Sequence, residues 1–161
     1  MNPSTMENLL RASEGEFSYA DGSSAALVDL ALQDSDGAIA TSALGELAQR
    51  ESNDARTVAA EILRRDSWDP HLTAYALTVL YARDPELAFS FMQKLVETVA
   101  DKPIFEAMID NVRLDAARFQ HGEGHRFLEA LRRKIAMHQS LVDLADELGG
   151  GPADGKDANS R

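Results

Sequence analysis

Two histidines and a glutamate near the C-terminus form the pattern closest to a reaction centre in this chain. His121, His125 and Glu129 are separated by steps of four, so on a continuous helix they would lie on one face. Imidazole nitrogens and a carboxylate oxygen are ligands that a divalent transition metal accepts. A metal-binding enzyme centred on these residues is therefore one hypothesis. Gly122 and Gly124 interrupt the pattern and favour a polar loop between helices instead.

Other patterns for catalysis or ligand binding are incomplete. The Asp-Ser-Asp-Gly run at 34–37 has the composition of a calcium loop, but Leu32 and Ala43 stand where that loop needs oxygen ligands. The sequence has no phosphate-binding glycine loop, no dinucleotide fingerprint and no nucleophile elbow. It also has no cysteine that could supply a thiolate. We therefore predict a protein that is not an enzyme and has no catalytic residues, no metal and no cofactor.

The charge balance indicates the kind of partner that the surface would attract. The chain has 27 Asp and Glu against 16 Lys and Arg, a net charge of −11, whereas a general nucleic-acid binder needs an excess of basic residues. An acidic surface attracts basic proteins, although acidity can also serve solubility alone. Arg126, Arg132, Arg133 and Lys134 form the one basic patch. Phe127 is the only aromatic residue among them, whereas a site for single-stranded nucleic acid needs several aromatic side chains for base stacking. We therefore predict a solvated helix face there and no nucleic-acid site.

The sequence also suggests a location in the cell. The first residues lack a basic region followed by an apolar run, as a secretory signal would have. No apolar stretch approaches the roughly 18 residues that a membrane-spanning helix needs. The absence of cysteine fits a reducing compartment. We expect a cytoplasmic protein without a membrane partner.

Apolar residues recur with helical spacing, and no β-strand alternation is visible. We predict an all-α fold of about seven or eight helices, with residues 1–148 as a single domain. The tail at 149–161 is rich in Gly and Asp and is predicted to be disordered, because it has too little apolar area to offset its ordering entropy. The helices are expected near 3–11, 25–33, 38–50, 55–65, 70–83, 85–100, 103–119 and 125–148.

A weak internal repeat organises these helices into pairs. The apolar triplet on the second helix of each pair recurs at steps of 33 and then 32 residues: Ala43, Leu44 and Leu47; Ala76, Leu77 and Leu80; Met108, Ile109 and Val112. A unit of two helices cannot bury its apolar face alone, so such units stack on one another. The pattern predicts a short helical repeat stack, with an irregular helical bundle as the alternative.

Two stretches of the chain resemble HEAT-like repeats. Residues 32–47 and 63–80 each show the apolar end of one helix, an Asp-rich turn and a second helix carrying an Ala-Leu pair. The resemblance extends over about residues 24–119. It departs from the family where Ala40 and Thr73 replace the basic residue early in the second helix, and its step is shorter than the usual forty or so. The resemblance implies a curved helical stack that binds proteins. Some small bacterial immunity proteins, which neutralise toxins, are similar acidic helical repeats.

The acidic turns between paired helices would recur on one edge of such a stack. They contain Asp34, Asp36, Asp66 and Asp69, and Trp68 lies within the second turn. A tryptophan on a loop is a favoured binding anchor, although its ring could instead cover a helix end. We predict a non-catalytic module that binds a basic protein through these residues, with toxin neutralisation as its sharpest form. Charge reversal at Asp66 and Asp69 is then expected to weaken binding without lowering the melting temperature.

The last predicted helix has a second apolar stripe formed by Met137, Leu141, Leu144 and Leu148. One stripe can cover the end of the repeat stack, and the other can form a homodimer interface. In that case the chain would be a structural adaptor or an oligomeric subunit. The alternative is that both stripes pack within one chain.

Overall fold

A computed structural model describes residues 3–33, 36–65 and 69–148, and in these ranges the fold is all-α, without a β-strand. The prediction of the fold class is confirmed. Three short 3-10 segments, η1 (Ala116–Phe119), η2 (Gln139–Leu144) and η3 (Asp146–Leu148), accompany the α-helices. The α-helices are α1 (Pro3–Ser13), α2 (Ser24–Ala31), α3 (Gly37–Gln49), α4 (Asn53–Arg64), α5 (Pro70–Arg83), α6 (Pro85–Thr98), α7 (Lys102–Leu114) and α8 (Gly122–Met137).

Aspartate caps fix where three of these helices begin. The Asp36 carboxylate accepts hydrogen bonds from two backbone N–H groups of α3, and Asp69 does the same for α5. Asp84 caps α6 by accepting from the third residue of that helix. Pro70 and Pro85 occupy the first helical positions after their caps, where a missing N–H costs nothing. The starts of these three helices are therefore set by local sequence.

The helices stack as a repeat over most of the chain. Helix α2 packs on α3, helix α4 packs on α5, and the second helices α3, α5 and α7 lie side by side. The repeating triplets of α3, α5 and α7 are all buried, with exposed fractions of 8% or less. The helical repeat pattern is thus confirmed, and its apolar triplets form the centre of the core.

Arginine side chains at the ends of α3 and α5 bind carbonyl groups of earlier parts of the chain. Arg50, after the end of α3, donates to the carbonyl oxygen of Gly22 at 2.8 Å. Arg83, at the end of α5, donates to the carbonyl oxygen of Ala48 at 2.8 Å. The two arginines are 33 residues apart, but their acceptors are not equivalent, because Gly22 precedes α2 whereas Ala48 lies near the end of α3. The Ala48 carbonyl oxygen also accepts from the backbone N–H of Glu51 at 3.1 Å, so Arg83 adds a second bond at this helix end.

The third helical pair departs from the pattern. Helix α6 packs against α5 and α8, and α7 packs against α5, η1 and η2, but α6 and α7 have few close backbone contacts with each other. In the first two pairs the corresponding helices are in close contact along their lengths. The splaying of α6 and α7 leaves a gap in the stack.

The chain after residue 114 differs from the prediction of two long helices. Helix α7 ends at Leu114 and is followed by η1, whereas α8 begins at Gly122 and ends at Met137. The backbone turns to an extended conformation at His138, which directs Leu141 and Leu144 back onto the core. A helix continued to Leu148 would carry these leucines beyond the end of the stack.

This turn changes the role of the predicted second stripe. Leu141 and Leu144 are fully buried within the chain, and Leu148 is half-buried against the core. These leucines therefore follow the alternative of packing inside one chain. Met137 is 73% exposed and is the one member of the stripe that presents most of its side chain to solvent.

Three phenylalanines hold the C-terminal elements onto the stack. Phe89 on α6, Phe119 on η1 and Phe127 on α8 have ring centroids 5.6–5.7 Å apart in all three pairs. Two of the pairs are edge-to-face, the arrangement that aromatic quadrupoles favour. The cluster joins α6, η1 and α8 and closes this end of the core.

Candidate functional site

The starts of the second helices lie along one edge of the stack. Asp36, Asp69 and Asp101 are the residues that precede α3, α5 and α7, at steps of 33 and 32. A carbon placed at the Cβ position of Gly37 would lie 1.5 Å from the Asp69 Oδ2 atom. Gly37 and Asp69, at the starts of α3 and α5, are therefore in contact, as the repeat predicts. We call this line of three residues the cap edge.

The three aspartates of the cap edge are not equivalent. Asp36 Oδ1 accepts from the N–H groups of Ala38 and Ile39 at 2.8 and 3.2 Å. Asp69 makes the same pair of cap bonds. Asp101 is exposed and makes no side-chain cap bond. Its carboxylate is therefore available to an external group, whereas the other two are partly satisfied by helix N-termini.

An apolar groove opens at this edge where α6 and α7 separate. Its volume is about 230 Å³. The floor and walls come from the end of α4, the start of α5, the second half of α6 and the start of α7. The apolar lining residues are Leu63, Pro70, Phe91, Leu95, Val99 and Ile104. Phe91, Leu95 and Val99 remain half-buried, so the groove offers uncovered apolar surface.

Polar groups of both signs surround the groove. Arg65, Lys94, Thr73, Thr98 and Asp101 complete its lining. The Arg65 guanidinium is engaged, with its Nε 3.0 Å from Glu61 Oε1. Within the described residues, the Lys94 ammonium and the Asp101 carboxylate have no ion-pair or hydrogen-bond partner. The groove thus combines an apolar floor with a cation and an anion that can both bind an external group.

We expect Asp69→Ala to lower the free energy of unfolding by about 1 kcal/mol, because α5 would lose its N-cap. This corrects the expectation that charge reversal at Asp69 leaves the melting temperature unchanged. Asp101→Ala is the matched control, since that aspartate makes no cap bond. Urea unfolding of both variants measures the difference. Equal losses in the two would show that the cap bonds of Asp69 contribute nothing.

The structure describes part of the predicted partner-binding set. Asp36 and Asp69 lie on the cap edge, while Asp34, Asp66 and Trp68 lie outside the described residues. Asp101 does not belong to the predicted set. The signal was present, because Asp101 continues the spacing of Asp36 and Asp69. The apolar side chains of α6 that line the groove could not be identified from the sequence, because their helical spacing is the same as that of buried core residues.

A second, polar cleft lies at the opposite edge, between α6, η1 and α8. It is open to solvent, has a volume of about 560 Å³ and is lined by Glu86, Phe89, Asp115, Arg118, His121, Glu123 and Gly124. Arg118 is paired with both Glu86 and Asp115, and the Tyr81 hydroxyl donates to Asp115 at 3.2 Å. Burial, together with the Asp115 charge, raises the pKa of Tyr81 to about 12. The phenol therefore stays protonated near neutral pH, and the network joins α5, α6 and η1.

The histidine and glutamate pattern does not form a three-ligand cluster. His125 Nε2 lies 3.4 Å from Glu129 Oε1 on the exposed face of α8. His121 precedes that helix, and Gly122, with φ at +58°, takes the chain into it. In the part of the chain that the structure describes, no three His, Asp or Glu side chains are placed to hold one metal ion.

No family model, no curated protein and no solved structure matches this chain. In the described ranges, none of the helices has the length and apolar content required to cross a bilayer. The function is therefore inferred from the chain's own residues.

Proposed function

We propose that the chain is a non-catalytic protein-binding module and that its binding site is the apolar groove at the cap edge. The observation that carries this proposal is the separation of α6 from α7 in an otherwise closely paired stack. It leaves Phe91, Leu95 and Val99 half-buried. Concave, mostly apolar sites with a few polar groups at the rim are the usual form of a binding pocket.

The lining of the groove suggests the chemistry of the partner. A volume of about 230 Å³ accommodates one or two apolar side chains of an incoming segment. The Asp101 carboxylate would pair with a Lys or Arg next to that anchor, and the Lys94 ammonium would pair with a carboxylate or a carbonyl group. The net charge of −11 would speed the approach of a basic protein.

We propose further that the architecture is HEAT-like and that the chain is a protein of the immunity type. The stacked pairs and the acidic turns at successive helix starts support the first. The second rests on size, acidity and helical repeat architecture, which a toxin-neutralising protein would share. In that form, the basic partner is a toxin and the groove receives its apolar anchor.

Selection of random peptides displayed on phage tests the site directly, because the peptides sample every combination of anchor and charge. The wild-type chain is the bait, and binders are enriched at low ionic strength. We expect the selected peptides to share a large apolar residue with a neighbouring Lys or Arg. Asp101→Lys should weaken these peptides at least tenfold, and Thr98→Tyr, which adds bulk at an exposed lining position, should do the same.

Glu51→Lys is the matched control for Asp101→Lys. It makes the same charge change at an exposed residue of the connection between α3 and α4, on the opposite edge of the stack. If the control weakens binding as much as Asp101→Lys does, attraction is a property of total charge and not of the groove. If neither groove variant weakens binding, the groove is not the site.

A further inference from the structure

We propose that the chain associates head to tail with a second copy, so that the exposed face of α1 on one copy contacts the end of α8 on the next. This inference concerns the two ends of the stack and does not depend on the proposed groove function. It rests on exposed apolar side chains at both ends and on the opposite charges that surround them.

The first end of the stack presents an apolar face on α1. Leu9 is turned into the core, but Met6 and Leu10 are 48% and 57% exposed. Met6 and Leu10 are four residues apart and share one face of the helix. Glu7 and Glu14 are exposed beside them and have no ion-pair partner among the described residues. This face, which we call the head, is apolar at its centre, and its border carries these two carboxylates together with Arg11, which donates to the carbonyl oxygen of Glu16 at 3.5 Å.

The other end of the stack presents the reverse combination on α8. Met137 is 73% exposed, and Arg133 lies one turn before it on the same face. Arg132 and Arg133 are exposed, and in the described part of the chain neither forms an ion pair. This face, which we call the tail face, is apolar at its centre and basic at its border.

The segments that form the two faces differ in charge in the same sense. Residues 1–31 contain five Asp and Glu against one Arg, and α8 contains four Lys and Arg against two Glu, although residues 138–148 after α8 add Asp143, Asp146 and Glu147. Helix α1 packs on α2 and α3, and α8 packs on α6, η1 and η2, so the two faces lie at opposite ends. The ends of a helical stack that stays monomeric are normally polar. These two faces are complementary to each other and not to themselves, which favours a heterologous contact.

Sedimentation velocity across a concentration series tests the association. We expect the average mass to rise above the monomer value of 17.5 kDa at high protein concentration and low salt. Raising the ionic strength from about 0.01 M to about 1 M shortens the Debye length from about 30 Å to about 3 Å and should return the chain to monomer. A monomer at every concentration and salt level would overturn the proposal.

Two one-sided variants establish the direction of the contact. The head variant carries Glu7→Lys and Leu10→Lys, and the tail variant carries Arg133→Ala and Met137→Ala, so the two altered ends do not complement each other; all four positions are exposed, so folding should be retained. Each variant alone should be monomeric. An equimolar mixture should form a dimer that does not grow further, because each variant keeps one intact end. That recovery also shows that both variants are folded. Dimers of either variant alone, or no dimers in the mixture, would contradict a head-to-tail contact.

Discussion

Gly124→Ala is expected to destabilise the protein by about 3 kcal/mol, although alanine is the better helix former by about 1 kcal/mol. Gly124 is buried near the start of α8. A Cβ atom there would lie 2.0 Å from the carbonyl oxygen of Arg118 and 2.9 Å from the Cα atom of Phe119. Both are backbone atoms of η1, so no side-chain rotation relieves the overlap. Helix α8 would have to move away from η1.

Urea unfolding followed by circular dichroism measures this loss, and Gly45→Ala is the matched control. Gly45 lies in the middle of α3, and its added Cβ would meet only the end of the Tyr75 side chain at 3.2 Å. We expect that variant to change the free energy of unfolding by less than about 1 kcal/mol in either direction. A Gly124→Ala protein as stable as the wild type would show that α8 does not pack closely on η1.

Phe119→Ala should lower the free energy of unfolding by about 3–5 kcal/mol, the usual cost of removing a buried aromatic ring. Phe119 is 2% exposed and contacts both Phe89 and Phe127 in the three-ring cluster. Its removal leaves a cavity where α6, η1 and α8 meet. Because α8 packs mainly on α6, η1 and η2, hydrogen exchange in α8 should accelerate more than exchange in α3.

The control for this substitution is Leu114→Ala, five residues earlier. Leu114 is 78% exposed, so its truncation should change stability by about 0.5 kcal/mol or less. The stabilities of the two variants are compared from their urea unfolding midpoints. This comparison holds when the free energy of unfolding depends equally on urea concentration in both variants. If Phe119→Ala cost no more than Leu114→Ala, the ring cluster would not be what holds the C-terminal elements.

The helices and the repeat could be predicted because their determinants are local. Asp36 and Asp69 mark helix starts through their own side-chain hydrogen bonds, and the buried triplets follow helical periodicity. The bounds of α5 agree with the sequence pattern at both ends. The different environments of Met137 and Leu141 could not be predicted in this way, because both residues fit one helical stripe. The turn of the backbone at His138 leaves the first exposed and buries the second.

The groove could not be predicted, because it arises from the absence of packing between two helices. Phe91 and Leu95 on α6 have the same spacing as Val58 and Ile62 on α4, yet only the latter pair is buried. What differs is the position of α7, which is set by its contacts with α5, η1 and η2. Likewise, the low helix propensity of glycine predicted a loop at Gly124. In the structure Gly124 lies in α8, where its lack of a side chain allows the backbone of η1 to approach the helix.

The cap edge also shows where sequence reasoning about charge was incomplete. All of its aspartates count equally in a net charge, but Asp36 and Asp69 are engaged by helix N-termini, and the carboxylate of Asp101 is not. An exposed charge without a partner has more to gain from an external cation than one already bonded to N–H groups. Asp101 is for this reason the acidic residue on which binding is expected to depend most.

The most direct test of the binding groove is an NMR titration of the isotope-labelled chain with a peptide selected on phage. The backbone amides that shift most should be those of Leu95, Thr98, Asp101 and Ile104, together with Thr73 across the groove. Thr98→Tyr should abolish these shifts while leaving the rest of the spectrum in place. Shifts confined to α8 or to the connection at Glu51, with the groove amides unmoved, would contradict the account.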